Sequence, residues 1–367
     1  MSEKWRLLIT EPLPVYQNMT LQWVLLNSCR QNWAPNTLHL LQFKPHTALV
    51  GFHQSVELEV EEEYCREHNI EINRRISGGG CIYMDESQLG WEITAKKGTA
   101  GIPHNLNEMY RVLCECAIAG FAKLGVAAKY RPLNDIEVEG RKISGTAGTE
   151  YDDSFIFHGT LLTDFDVETM LRCLKLPLKK LDDKQVQSFK QRVVSLKELL
   201  GSLPDMQTIH AAVAGGFAEV LGIELVAGGL TQQEREFFEQ EMPGFQSEAW
   251  VRGNRSIQTA GGLQVSDYKA PGGLIRISLL LDPTRQFIKS IFITGDFFAY
   301  PENAILGLEA FLKNTPIRSK KLEENVKWFF AWAKVRIPGV TTEDFISAIR
   351  NAVTEASVEG REVAIDG

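Results

Sequence analysis

Arg74-Arg75-Ile76-Ser77-Gly78-Gly79-Gly80-Cys81-Ile82-Tyr83-Met84-Asp85 is the stretch on which the fold turns. Ile70–Arg75 has the pattern of a strand, three glycines interrupt it, and strand character then resumes. Consecutive glycines are costly in chain entropy and pack no side chain, so a sheet tolerates them where something approaches the backbone closely. The flanking arginines and Ser77 suggest that this something carries an anion, for which guanidinium forks and backbone N–H groups are suitable donors. A glycine-rich bulge with two solvated arginines is the other reading, and the motif alone leaves both open.

Asn134-Asp135 and then Gly140-Arg141-Lys142-Ile143-Ser144-Gly145-Thr146-Ala147 read as a tight hairpin, with Ile136 and Val138 alternating and Glu139-Gly140 supplying the turn. A lysine on a strand beside small residues can be held against a ligand without obstruction, as a compact charge able to bridge two oxygens. A lysine after a hairpin turn is also a common exposed edge residue; the small residues that follow Lys142 favour the first reading. The third segment, Phe157-His158-Gly159-Thr160-Leu161-Leu162, puts a histidine before glycine at the head of an apolar strand, where it is a ligand contact or a satisfied core residue. Neither standard nucleotide-binding glycine loop is present, and neither a Gly-x-Ser-x-Gly elbow nor a His-Glu-x-x-His helix occurs.

The remaining pattern predicts strands at Trp5–Ile9, Thr37–Phe43 and Ala48–Gly51, and helices at Asn18–Arg30 and Leu106–Leu124. An acidic helix from Ser55 to His68 is expected, with Ser55 as its cap. Helices are also expected at 166–176, 182–200 and 207–221, the last stopped by Gly222. Composition shifts over 226–254, where Gly228, Gly229, Pro243, Gly244 and Gly253 punctuate an acidic helix at Gln232–Gln240, so a boundary is placed there. Beyond it, Ser256–Thr259, Leu263–Lys269, Leu274–Leu281 and Phe287–Ile293 read as a meander, with helices at Pro301–Lys313 and Thr342–Glu355. The expected architecture is α+β, with domains over 1–250 and 251–367.

A chain of 367 residues exceeds the roughly 250–300 at which single cores stop growing, which agrees with two domains. With 44% hydrophobic residues and a net charge of −8, disorder is excluded, and so is the basic footprint of a general nucleic-acid binder. The acidic balance does not attract anionic lipid, and no run approaches the roughly 20 apolar residues that span a bilayer. No export signal is visible at the start. The six cysteines show no framework or zinc spacing, so reduced thiols in a cytoplasm are expected.

Together, in this order and spacing, the three segments resemble the lipoate–protein ligase A family. The likeness continues through Lys179–Leu196, with Arg192-Val193, and through Gly295-Asp296-Phe297-Phe298 and Pro301 in the smaller domain. The resemblance implies a biotinyl/lipoyl ligase-like catalytic domain, a mixed sheet with flanking helices, plus an α+β accessory domain. It implies activation of lipoate by ATP and Mg2+ to lipoyl-AMP, then transfer to a lysine of a lipoyl-carrier domain or H-protein-like acceptor. Lys142 would be the catalytic cation. Arg74, Arg75, Ser77, Gly78, Gly79, Gly80 and Cys81 would line the acyl-adenylate, with Ser144, Gly145, Thr146 and Ala147. Asn134 and Asp135 would serve the phosphates, Asp135 with the magnesium, while His158, Gly159 and Thr160 border the lipoyl tunnel. An octanoyl or lipoyl transferase using a Cys81 thioester without ATP shares the fold and is the alternative. A non-catalytic lipoate-binding protein is the second, and a biotin ligase lacks its arginine-glycine motif.

Overall fold

The first strand, β1 (Lys4–Ile9), and the helix after it, α1 (Val15–Gln31), set the geometry of the larger sheet. α1 buries Met19, Val24, Leu25 and Leu26 and returns the chain to β2 (Thr37–Leu41), parallel to β1. A parallel pair requires such a crossover. Every residue of β2 is buried, His39 included, whose Nδ1 lies 2.6 Å from the buried Glu92 carboxylate.

β3 (Thr47–Val50), α2 (Val56–Glu59), α3 (Glu62–Glu67), β4 (Glu71–Arg74) and β5 (Ile82–Met84) follow. Then come β6 (Leu89–Lys96), α4 (Leu106–Lys123), β7 (Lys129–Arg131), β8 (Asp135–Val138), β9 (Arg141–Tyr151) and β10 (Ser154–Leu161). α5 (Val167–Cys173), α6 (Asp183–Lys190), α7 (Leu196–Leu200), α8 (Met206–Leu221), β11 (Glu224–Ala227), α9 (Gln232–Gln246) and α10 (Glu248–Arg252) complete this part. The computed structural model describes residues 2–132, 134–175, 183–253, 263–282, 287–317 and 320–362. Among them the large sheet has the order β11-β1-β2-β6-β10-β9-β8-β7, and a small one the order β4-β3-β5. β1 is parallel to both its neighbours and the rest of the large sheet is antiparallel. The chain thus forms the expected mixed sheet with helices.

Two compact units divide the chain. The first comprises Met1–Leu49, Glu59–Ile76 and Ile82–Val251; the second comprises Val50–Leu58, Ser77–Cys81 and Arg252–Gly367. In the second, β12 (Gln264–Ala270), β13 (Gly273–Asp282) and β14 (Phe287–Gly295) form an antiparallel meander. α11 (Ala304–Leu312), α12 (Lys321–Trp332) and α13 (Thr342–Glu362) close over a core that includes Ile275, Ile277, Phe297, Leu308, Phe329 and Phe345.

Several expectations are corrected. The segment after Ser55 forms two short helices, and the Ser55 hydroxyl donates to the Glu57 carboxylate at 2.6 Å. The helix expected over 182–200 is α6 and α7, parted by an extended segment whose backbone bonds to Lys142. The stretch placed as a boundary carries elements of its own, β11, α9 and α10. β11 pairs with β1, and α9 carries a capping box at Thr231 and Glu234. Glu234 also forms a buried bidentate pair with Arg6 at 2.6 and 2.7 Å. α12, which the pattern did not single out, contributes Leu322, Val326, Phe329 and Phe330 to the core of the second unit. The strand expected at Ser256–Thr259, and Lys179 and Lys180, lie outside the described residues.

Candidate active site

Glu139 and Gly140 turn the β8–β9 hairpin with φ of 51° and 80°, the left-handed pair that a two-residue hairpin needs. The register shifts between Ile136 and Glu137, so that Lys142 lies opposite Glu137. Lys142 is held from the other side too. Its N–H donates to Arg192 O at 2.8 Å and its carbonyl accepts from Val194 N–H at 2.9 Å. The Lys142 ammonium lies 2.8 Å from Asp135 Oδ1, and the Arg131 guanidinium donates to Oδ2. Burial opposes ionisation of Asp135, but the Lys142 and Arg131 cations outweigh it and hold the carboxyl below its usual range. Gly145 leaves room for this arrangement, since a side-chain carbon there would meet Lys142 Nζ at 2.7 Å and Cε at 2.8 Å.

Asn134 ties the hairpin to the next strand. Its carbonyl accepts from Thr146 N–H at 2.8 Å and from the Thr146 hydroxyl at 3.0 Å, and its side-chain amide donates to Thr146 O at 3.1 Å. Gly145 N–H donates to the Thr160 hydroxyl at 3.3 Å. The buried Ser144 hydroxyl has no hydrogen-bond partner among the described residues. On β10, His158 lies opposite Ala147 and Gly159 opposite Thr146. Burial, then the nearby Arg75 charge, pushes the His158 imidazole down to about 3, so it is neutral in ordinary buffers. A side chain on Gly159 would run into the buried Trp91 indole, which packs with Phe157 and Phe217.

Both motif arginines are buried, which overturns the reading of them as solvated. Arg74 donates to Trp250 O at 3.2 Å and to Val251 O at 3.1 Å, satisfying carbonyls near the end of α10, while Arg75 donates to Leu49 O at 3.1 Å. The glycine segment does not run on within one ladder. It links β4 and β5, which flank β3 on opposite sides. The body that approaches Gly78 is protein: a side-chain carbon there would lie 2.6 Å from Phe297 O and 3.1 Å from Phe298 Cα. Gly79 N–H donates to Phe297 O at 3.2 Å. Of the six free cysteines, Cys81 is half-buried and the other five are buried. Burial pushes the thiols of Cys29 and Cys116 up, and that of Cys114 to about 12.

The structure therefore brings Asn134, Asp135, Lys142, Ser144–Ala147 and His158–Thr160 together on three neighbouring strands, with Arg75 acting on His158 through its charge. Ser77–Cys81 group with the second unit, and Arg74 is bound to α10. Two residues of this arrangement were not singled out from the sequence, Arg131 and Trp91. Arg131 was within reach, because it faces Asp135 across the β7–β8 pair. Trp91 was not, since only the sheet order puts it under Gly159. Asp135 offers a magnesium ion no spare oxygen, as both are engaged by cations. The constellation as it stands is a fixed cation beside small residues and an uncharged imidazole, suited to stabilising negative oxygen next to an apolar group.

The family model of the lipoyl protein ligase A/B catalytic domain matches residues 14–218. The octanoyltransferase LipM of Kyrpidia tusciae is 29% identical over 270 residues, covering 68% of this chain and 98% of that protein. The LipM octanoyltransferase of Bacillus subtilis is 26% identical over 258 residues, 64% of this chain and 92% of that one. Among solved structures, lipoate-protein ligase A bound with ATP is 22% identical with a TM-score of 0.60, covering 69% of this chain and 99% of that one. The bipartite lipoate protein ligase of Thermoplasma acidophilum, studied with its E2 lipoyl domain, is 22% identical with a TM-score of 0.60, covering 71% and 100%. LipL1 of P. falciparum in complex with lipoate reaches a TM-score of 0.71 at 18% identity, covering 95% and 98%. These structures show a shared fold. With more than half of its length matched by the family model, and with the site strands inside that match, the chain belongs to the lipoyl protein ligase A/B catalytic domain family.

Proposed function

We propose that the protein transfers an octanoyl or lipoyl group to the side-chain amine of a lysine on a lipoyl-carrier protein. The observation that carries this reading is the Lys142 ammonium, fixed by Asp135 over Gly145 inside the matched segment. Attack of an amine on an acyl group puts negative charge on the carbonyl oxygen, and a cation already held in place stabilises it without reorganisation. His158, neutral and beside Gly159 and Trp91, suits the apolar acyl chain.

Transfer without ATP draws support from the relatives, which are named octanoyltransferases, and from Cys81, the thiol that is not fully buried. In that route the Cys81 thiolate attacks the carbonyl of an acyl thioester and the donor thiol leaves. The acceptor amine then attacks the Cys81 thioester, an amide forms, the amine proton passes to solvent, and the thiolate is regenerated.

Adenylation is the second reading, favoured by the two cations on Asp135, since joining a carboxylate to an α-phosphate brings anions together. ATP, supplying the leaving pyrophosphate, would lie along Lys142, Ser144–Ala147 and Asn134. The residues do not favour a protein-held magnesium at Asp135 unless it displaces Lys142 or Arg131.

The test offers apo lipoyl domain with either an octanoyl thioester alone or lipoate, ATP and Mg2+, and reads the carrier mass. Acylation from the thioester that is lost in Cys81→Ala establishes the first route. Acylation that requires ATP and survives Cys81→Ala establishes the second. Both should fail in Lys142→Ala, and no acylation under any condition refutes the proposal in favour of a binding protein.

A further inference from the structure

On this acidic chain a surface of opposite character lies on the second unit. There Phe311, Trp328 and Trp332 form an unbroken strip of rings. Phe311 stacks on Trp328 at 5.3 Å, and Trp328 on Trp332 at 5.6 Å with planes 7° apart. Trp328 is 52% and Trp332 67% exposed. A globular surface exposes two stacked tryptophans at a cost in solvation, and tryptophan is the residue most enriched where binding energy is concentrated. The strip is anchored from beneath by Phe329, which packs on Phe311 and Trp332, so the rings are held in place before any partner arrives.

Charge around the strip identifies the kind of partner. From Phe311 to Arg336 the exposed charged residues among those described are Lys313, Lys320, Lys321, Lys327, Lys334 and Arg336 against Glu324. Lys327 is shared with Glu343 at 3.4 Å, and the other four lysines have no ion pair among the described residues. A net positive, aromatic patch on a chain of net charge −8 selects an acidic partner locally while the whole molecule repels it at long range. Glu324, four residues before Trp328 on α12, places an acid at the strip, which suits a protein surface with paired charges better than an anionic lipid sheet.

We propose that the Phe311–Trp328–Trp332 strip with its lysine rim docks the acidic protein domain that presents the acceptor lysine. This inference rests on the acyl-transfer reading above and adds where its protein substrate is held. In the test, the full-length enzyme is assayed with an acidic apo lipoyl domain as acceptor, and separately with hydroxylamine, a small nucleophile that needs no docking. Trp328→Ala/Trp332→Ala is expected to raise KM for the domain roughly tenfold with kcat little changed and hydroxylamine capture intact. Lys321→Glu/Lys334→Glu should also raise KM and flatten its dependence on salt. Both tryptophans are exposed, so the variants keep the fold, which an unchanged melting temperature checks. An unchanged KM in both variants overturns the inference. So does an unchanged KM accompanied by loss of binding to phosphatidylglycerol vesicles, or of self-association, which would assign the strip to a membrane or a second copy. A wild-type enzyme that acylates hydroxylamine but no acidic domain overturns it alone; one that acylates neither brings down the acyl-transfer reading as well.

Discussion

Gly145 and Lys142 share one space: a single carbon added to Gly145 would sit 2.7 Å from the Lys142 ammonium. The glycine is what lets the ammonium lie on Asp135. Gly145→Ala is therefore expected to swing the flexible lysine away, lowering kcat at least about tenfold, while Lys142→Ala costs about 10²–10³-fold. Lys142 is 37% exposed, so it can move without unfolding the sheet, and the melting temperature should hardly change. In a Lys142→Ala background, Gly145→Ala should have no further effect on rate; an additive loss would mean the two residues act separately.

Gly78 and Gly80 should respond unequally to alanine. At Gly78 the new carbon meets the Phe297 carbonyl at 2.6 Å, whereas at Gly80 the nearest atom is Asp296 Cβ at 3.7 Å. Backbone cannot yield as a side chain does, so Gly78→Ala is expected to cost about 1–3 kcal/mol and Gly80→Ala little. Urea unfolding followed by intrinsic tryptophan fluorescence distinguishes them.

His158 makes stability depend on pH in a definite sense. Its folded value is about 3 against 6.5 for the free side chain. Between those values the unfolded chain binds a proton that the folded chain excludes, so this contribution to stability is full above 6.5 and is lost as pH falls toward 3. His158→Gln should flatten the stability profile across that window by about one proton's slope. An identical slope in the variant would show that other groups set it.

The Arg6–Glu234 pair joins β1 to α9, and both side chains are buried. Glu234→Ala leaves a guanidinium without its counter-charge and removes the capping-box carboxylate from Thr231 N–H, so about 3–5 kcal/mol of stability should be lost. Arg6→Met/Glu234→Leu, which removes both charges, should recover most of it. Chemical denaturation of the wild type and the two variants reads this directly, and a double variant no better than Glu234→Ala would contradict the account.

Local pattern determined much of the first unit. The alternation at Ile136 and Val138 with Glu139-Gly140 specifies the β8–β9 hairpin, because both turn positions take positive φ, and that hairpin fixes Lys142 near Asp135. The periodicity of 106–124 specifies α4 in the same way, since one face of a helix is legible within its own sequence. Long-range pairing, by contrast, is visible only in the folded chain. The break between α6 and α7 arises because residues 192–194 pair with Lys142, some fifty positions away, and no local signal announces such a bridge. The strand β11 was hidden in a glycine-rich stretch because its partner is β1, at the other end of the unit. The triple glycine shows the limit most clearly. The cost of three glycines in a row raises a close approach to the backbone as one of two readings, the other being a bulge. Which body approaches, at Gly78 the carbonyl of Phe297, depends on a residue more than two hundred positions along the chain, and only the folded molecule brings them together.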